Sequence, residues 1–195
     1  MKEFVLFSSR GFTLPFDLND LTQGRMDLVA RCISAAFFIS YAIRKDVIFH
    51  LFLNGPPNPP RRISFYGNEL VGIEPNEKSI AIKLNECLEK GKGLKLSEEI
   101  KVGNGIFIAK ESLEKFLKRE AKNKKIIYLH KDGVDLRKYE FPENFMVILG
   151  DHKGLPEKIE NFLERLNAEK VSFGNMEYLA SHCIVILNNE LDRRS

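Results

Sequence analysis

The chain has 195 residues, 44% of them apolar, enough for one domain with a sizeable core. Its longest nearly apolar run, Cys32 to Ile43, spans 12 residues where a membrane span needs roughly 20. Phe4 to Phe7 is too short for a secretory signal, so a soluble, cytoplasmic protein with no membrane partner is expected. The net charge of +3 lies wholly within residues 1–62, where 8 basic residues, six of them arginine, stand against 5 acidic ones; that balance suits either RNA or an ordinary solvated surface.

In chain order, Glu3 to Ser8 reads as a first strand, followed by a long loop, Ser9 to Gln23, that carries Arg10. Long connections of this kind are often functional. Residues 24–45 have apolar positions on much of a helical circumference, among them Val29, Ile33, Phe37 and Tyr41, which predicts a helix buried on more than one side. Asp46 to Leu53 is a central strand. It ends at Asn54-Gly55-Pro56-Pro57-Asn58-Pro59-Pro60, a stiff proline loop that precedes Arg61, Arg62 and a strand over Ile63–Tyr66. The loop is either a rigid connector or a preshaped mount presenting two arginines to phosphates.

Ser79 to Lys90 is an amphipathic helix stopped by Gly91-Lys92-Gly93. Val102 to Ile106 is a turn or short hairpin, and Leu113, Phe116 and Leu117 mark a short helix. Residues 67–121 look like connecting structure. Three apolar runs of buried-strand length follow: Ile126–Leu129, Phe145–Leu149 and Val171–Phe173. Between the last two, Ile159, Phe162, Leu163 and Leu166 lie on one helix face that opens at Pro156. Residues 180–191 are read as a helix, with Asn175 available as its cap.

Each of the three late strands ends in a polar or glycine-bearing loop: His130-Lys131-Asp132-Gly133, Gly150-Asp151-His152-Lys153-Gly154, and Gly174-Asn175. In open α/β sheets this carboxyl edge is where ligands bind. Glycines there either let a ligand approach the backbone or only make turns. Cys32, Cys87 and Cys183 are isolated among apolar residues and read as buried thiols. The four histidines form no metal-ligand spacing, so no metal is expected.

The segments ILGDHKGLP and VSFGNMEYLASHCIVILNNELD, with FVLFSSRGFT and NGPPNPPRRISFYG, resemble the SPOUT (α/β-knot) methyltransferases. Along the chain the likeness is to the archaeal branch that methylates N1 of pseudouridine at position 54 of the tRNA T-loop. This resemblance implies a single domain over 1–195, α/β in class, its mostly parallel sheet flanked by helices. Residues 1–121 would be the RNA-facing half and 122–195 a cofactor half closed by a deep trefoil knot, in a homodimer.

S-adenosylmethionine would lie against Tyr128, Leu129, His130, Leu149, Gly150, Ser172, Phe173, Gly174, Asn175, Met176, Glu177 and Cys183. Asp151, His152 and Arg10 are the catalytic candidates: a base to accept the N1 proton, and a cation for the developing negative charge. Arg10, Arg25, Arg61 and Arg62 are the candidates for tRNA contact. A ribose 2′-hydroxyl target, a ribosomal pseudouridine, or RNA binding without catalysis on the same fold stay open.

Overall fold

In the computed structural model, which describes residues 1–194, one eight-stranded sheet runs through both halves of the chain. In chain order the strands are β1 (Lys2–Ser8), β2 (Phe38–Ile39), β3 (Ala42–Ile43), β4 (Val47–Leu53), β5 (Arg61–Tyr66), β6 (Glu99–Gly103), β7 (Ile106–Ala109), β8 (Lys125–Asp135), β9 (Phe145–Gly150) and β10 (Glu169–Ser172). The helices are α1 (Met26–Phe37), α2 (Glu77–Lys90), α3 (Leu113–Glu120), α4 (Glu157–Arg165) and α5 (Ala180–Asp192). The main sheet has the order β10-β8-β9-β1-β4-β5-β7-β6, and β2 pairs only with β3. From β10 to β4 every pairing is parallel; from β4 to β6 every pairing is antiparallel.

Period-two alternation along the strands builds two cores. Phe4 and Leu6 of β1 join Val147 and Leu149 of β9 under α1, α2 and α5. Val5 and Phe7 join Met146 and Ile148 on the opposite face, under α3 and α4. Burial on both faces is why these strands read as unbroken apolar runs rather than alternating ones. Each fully buried Leu, Ile or Phe contributes about 1.5–3 kcal/mol relative to exposure.

The expected α/β sheet flanked by helices is present, and four local expectations need correction. The helix expected over 24–45 ends at Phe37, and Phe38–Ile43 turns back as the β2–β3 hairpin, with Tyr41 at φ 66° in the bend. Aromatic and β-branched residues suit a strand as well as a helix face, and the apolar pattern alone did not separate the two. Residues 67–121 are not mere connection, because β6 and β7 widen the sheet as an antiparallel wing while α2 and α3 cover one face each. The strand expected over 126–129 continues through a bulge to Asp135, where Val134 and Asp135 pair with Val171 and Ser172. Finally, α5 is a helix as expected, but it opens at Ala180 behind Leu179, with no side-chain cap, so Asn175 is not its cap.

Candidate active site at the carboxyl edge of the sheet

Phe7 of β1 pairs with Gly150 of β9, so the chain leaves the two strands side by side. Just beyond, Asp151 Oδ2 accepts hydrogen bonds from Ser9 N at 2.8 Å and Ser9 Oγ at 2.6 Å. Asp151 Oδ1 accepts from Lys153 N at 3.0 Å, and its carbonyl accepts from Gly154 N at 2.9 Å. The carboxylate is buried, whereas His152 is exposed with Nδ1 3.5 Å from Asp151 Oδ1. Gly150 serves the turn itself: a Cβ there would lie 2.1 Å from the carbonyl carbon of Gly154. This tightness by itself requires a glycine here.

Arg10 follows Ser9 and its side chain is exposed. Its loop is fastened to the proline loop through Thr13, whose Oγ1 donates to Gly55 O at 3.0 Å and accepts from Asn58 N at 2.8 Å. Lys110 Nζ holds Asn58 Oδ1 from the other side at 2.7 Å. The proline loop is therefore a braced wall beside Arg10.

The wall farther along the edge is built by residues 172–179. Ser172 Oγ accepts from Gly174 N at 3.0 Å, and Gly174 sits at φ 93° with open space where a Cβ would be. Phe173 is half-buried, its ring edge-on to Tyr178 with centroids 6.3 Å apart. Among the described residues, the backbone N–H groups of Asn175, Met176, Glu177 and Tyr178 have no partner in the chain, and the side chains of Met176 and Leu179 are largely exposed. Free backbone donors beside exposed apolar side chains fit a nucleoside carrying a methionine-like arm, which needs an apolar slot and a few main-chain hydrogen bonds.

Leu129 and His130 are half-buried at the same edge, and His130 Nδ1 accepts from Asp132 N at 3.1 Å. Leu149 belongs to the core beneath the edge. Cys183 is buried near the start of α5, its Sγ 3.7 Å from Tyr178 O, and burial pushes its thiol up to about 11. Such a thiol is a poor nucleophile at neutral pH. Tyr128 is a correction: it is wholly buried in the core under α3 and α4, with the Lys170 ammonium 5.7 Å from its ring centroid, and its side chain does not line the edge.

The arginines separate sharply. Arg25 is half-buried and donates from Nε to Asp27 Oδ1 at 3.1 Å. The expectation that the proline loop presents Arg61 and Arg62 to phosphates is corrected by burial. Arg61 is wholly buried; Nη2 donates to Lys92 O at 3.3 Å, and Nε and Nη1 have no partner among the described residues. Arg62 donates to Glu111 at 2.9 Å, Glu99 at 2.5 Å and Ser64, beside a cavity of about 370 Å³ between α3 and the antiparallel wing. As the first two residues of a sheet-embedded strand, both arginines turn inward, and a one-dimensional charge count cannot reveal that.

Ser9 was missed from sequence. A serine at a strand end is common, and only the β1–β9 pairing places it against Asp151. Among the described residues no group of three His, Cys, Asp or Glu side chains is arranged to hold a metal, and no helix is long and apolar enough to cross a membrane.

Residues 1–195 match the family described as "Putative SAM-dependent RNA methyltransferase". The tRNA (pseudouridine(54)-N(1))-methyltransferase of Methanococcus maripaludis strain C5 is 42% identical over 199 residues, covering 99% of each chain. The protein of that name from Methanocaldococcus jannaschii is 38% identical, covering 100% of this chain and 98% of the relative. Among solved structures, Nep1 of Archaeoglobus fulgidus bound to S-adenosylhomocysteine superposes with a TM-score of 0.64 at 14% identity, over 98% of this chain and 97% of that one; this likeness supports the fold.

Proposed function

Because the chain belongs to this family of SAM-dependent RNA methyltransferases, we propose that it methylates N1 of pseudouridine 54 in the tRNA T-loop at the edge just described. The observation that carries the placement is the junction of two loops: the one bearing Arg10 and the one bearing Asp151 and His152 are hydrogen-bonded to each other through Ser9. S-adenosylmethionine supplies an electrophilic methyl group on a sulfonium. Residues 173–179 hold it through their free backbone groups, with Met176 and Leu179 along its apolar parts.

The N1–H proton of pseudouridine must leave as the new bond forms. His152, exposed beside Asp151, is placed to accept it, and Arg10 to offset negative charge spreading over the base carbonyls or to hold a phosphate. A base drawn out of an RNA loop is read by stacking and edge contacts, which suits an open edge. Mass spectrometry of tRNA nucleosides after incubation with cofactor tests this reading: N1-methylpseudouridine is expected, and a 2′-O-methylated nucleoside in its place would refute it.

The further elements of the reading are a single cytoplasmic domain, a knot over residues 122–195, and a homodimer. For the knot, residues 130–139 wrap the end of β10, with Leu136 N donating to Ser172 O at 2.8 Å, and Arg194 pins them by donating to the carbonyls of Leu136 at 2.9 Å and Arg137 at 3.1 Å. A crystallographic trace of this segment decides whether the chain threads. For the dimer, Met176, Tyr178, Leu179 and Val185 expose apolar surface around the start of α5, and Ile39 and Tyr41 expose more. Exposed apolar side chains of this kind suit a subunit contact. Light scattering at micromolar concentration should give twice the chain mass; a monomer mass would refute it.

A further inference from the structure

We propose that Ser9 is a positioning residue for methyl transfer, acting through Asp151 to set loop 150–154, and His152 on it, against Arg10. This rests on the methyltransferase reading above and deepens it. Among the described residues, Ser9 is the one whose backbone and side chain both bond across from the RNA-facing loop to the cofactor-side loop.

The geometry divides the work between the two oxygens of Asp151. Oδ2 takes both Ser9 donors, and Oδ1 takes Lys153 N, which shapes the turn. With three donors on its two oxygens in a buried setting, this carboxylate is assigned the part of an anchor rather than that of the proton acceptor. The acceptor is then His152, which is exposed and held 3.5 Å from Oδ1. Ser9 and Arg10 are also peptide neighbours, so the same two bonds fix where the Arg10 side chain departs. A hydroxyl donor to a carboxylate is among the stronger hydrogen bonds. Displacing a reacting group by about 1 Å can cost on the order of 100-fold in rate.

Steady-state methylation of a pseudouridine-bearing T-loop transcript tests this with four variants: Ser9→Ala, Ser9→Thr, Asp151→Asn and the Ser9→Ala/Asp151→Asn double. Each is assayed below its unfolding midpoint, and cofactor affinity is measured by calorimetry. Ser9→Ala should lower kcat roughly 10- to 100-fold while KM for the transcript and cofactor affinity stay within about 3-fold. Ser9→Thr, which keeps the hydroxyl, should recover most of kcat. The double variant should be no slower than Asp151→Asn alone, because both changes remove one interaction.

Wild-type kcat in Ser9→Ala, no recovery in Ser9→Thr, or multiplying losses in the double would each overturn the proposal. A loss seen only as a lower unfolding midpoint would also overturn it, in favour of a purely structural bond. Failure of the wild-type protein to methylate the transcript strikes the functional reading instead, and the two failures are thereby distinct.

Discussion

The parallel half of the sheet and its antiparallel wing treat polar groups in opposite ways. At the carboxyl edge of the parallel half, Arg10, His152 and the backbone of 175–178 are left open among the described residues, and the buried carboxylate of Asp151 is held by the adjacent loops. On the wing, charges are numerous but consume one another. Arg62 is shared by Glu99 and Glu111, and Arg119 closes on Glu111. The difference teaches that charge in a sequence locates a binding surface only after the fold has shown which charges remain unspent. Buried pairs hold a structure in register, and exposed single groups meet ligands.

Breaking the wing should have the largest effect on stability. Glu111→Ala removes one of the two carboxylate partners of the buried Arg62 guanidinium, leaving Glu99, and should cost about 1.5–3 kcal/mol, read as a lower urea midpoint. Methylation per folded molecule should persist, because the ion pairs of Glu111 and Arg62 run to the wing and α3 and not to Ser9, Arg10, Asp151 or His152. At the edge the expected balance reverses. Gly174→Ala places a side chain at φ 93°, with no atom within 4 Å to collide with. The exposed loop 174–179 relieves the backbone strain of about 1–3 kcal/mol by changing shape, so cofactor binding by calorimetry should weaken while the urea midpoint changes little. Gly150 is unsuited to this test, since any side chain there strikes the backbone of Gly154.

Where the wing joins the parallel strands, the buried pair of Glu3 on β1 and His50 on β4 carries a pH dependence. Burial lowers His50 below its ordinary 6.5, and the Glu3 carboxylate offsets only part of that. Below pH 6.5 the unfolded chain takes up a proton that folded His50 refuses, so stability present above that pH declines as pH falls. Burial alone would raise Glu3, but bonds from His50 and Lys124 outweigh it and hold the carboxyl below its ordinary 4.5. Its contribution is present above pH 4.5 and is lost as pH falls through the folded value. His50→Gln should therefore flatten the stability profile just below pH 6.5 and leave the steeper loss at lower pH. Chemical unfolding at stepped pH measures both windows.

The smallest stability effect should come from Arg10→Ala, within about 0.5 kcal/mol for an exposed side chain. Its effect should appear in tRNA binding, where one lost phosphate contact lowers the salt-dependence slope by about one unit. The same measurement on Arg62→Ala should show an unchanged slope alongside clear destabilisation. An unchanged slope in Arg10→Ala would erase the contrast between the two regions.

The parallel strands were legible because burial on both faces forces continuous apolar runs, as in β1 and β9, and their glycine-ended loops marked the edge. The helix α4 was legible from Ile159, Phe162 and Leu163 on one face. The wing was not, because Ile100 and Val102 of β6 and Ile106 and Ile108 of β7 alternate only over short stretches, and β7 joins the sheet through partners more than thirty residues away in β5. The candidate site divided likewise. Asp151 and His152 stood out beside Gly150, but the Ser9 contact spans 142 residues. The burial of Arg61 and Arg62 depends on carboxylates and a carbonyl contributed by the turn after α2, β6 and the approach to α3.

The most direct measurement uses two T-loop transcripts identical except at position 54, one with uridine and one with pseudouridine, and a labelled methyl donor. Uridine N1 is bonded to the ribose and has no proton to lose, whereas pseudouridine presents N1 as a free N–H. Label on the pseudouridine transcript alone is the expected result; equal labelling of both would contradict N1 as the methylated atom.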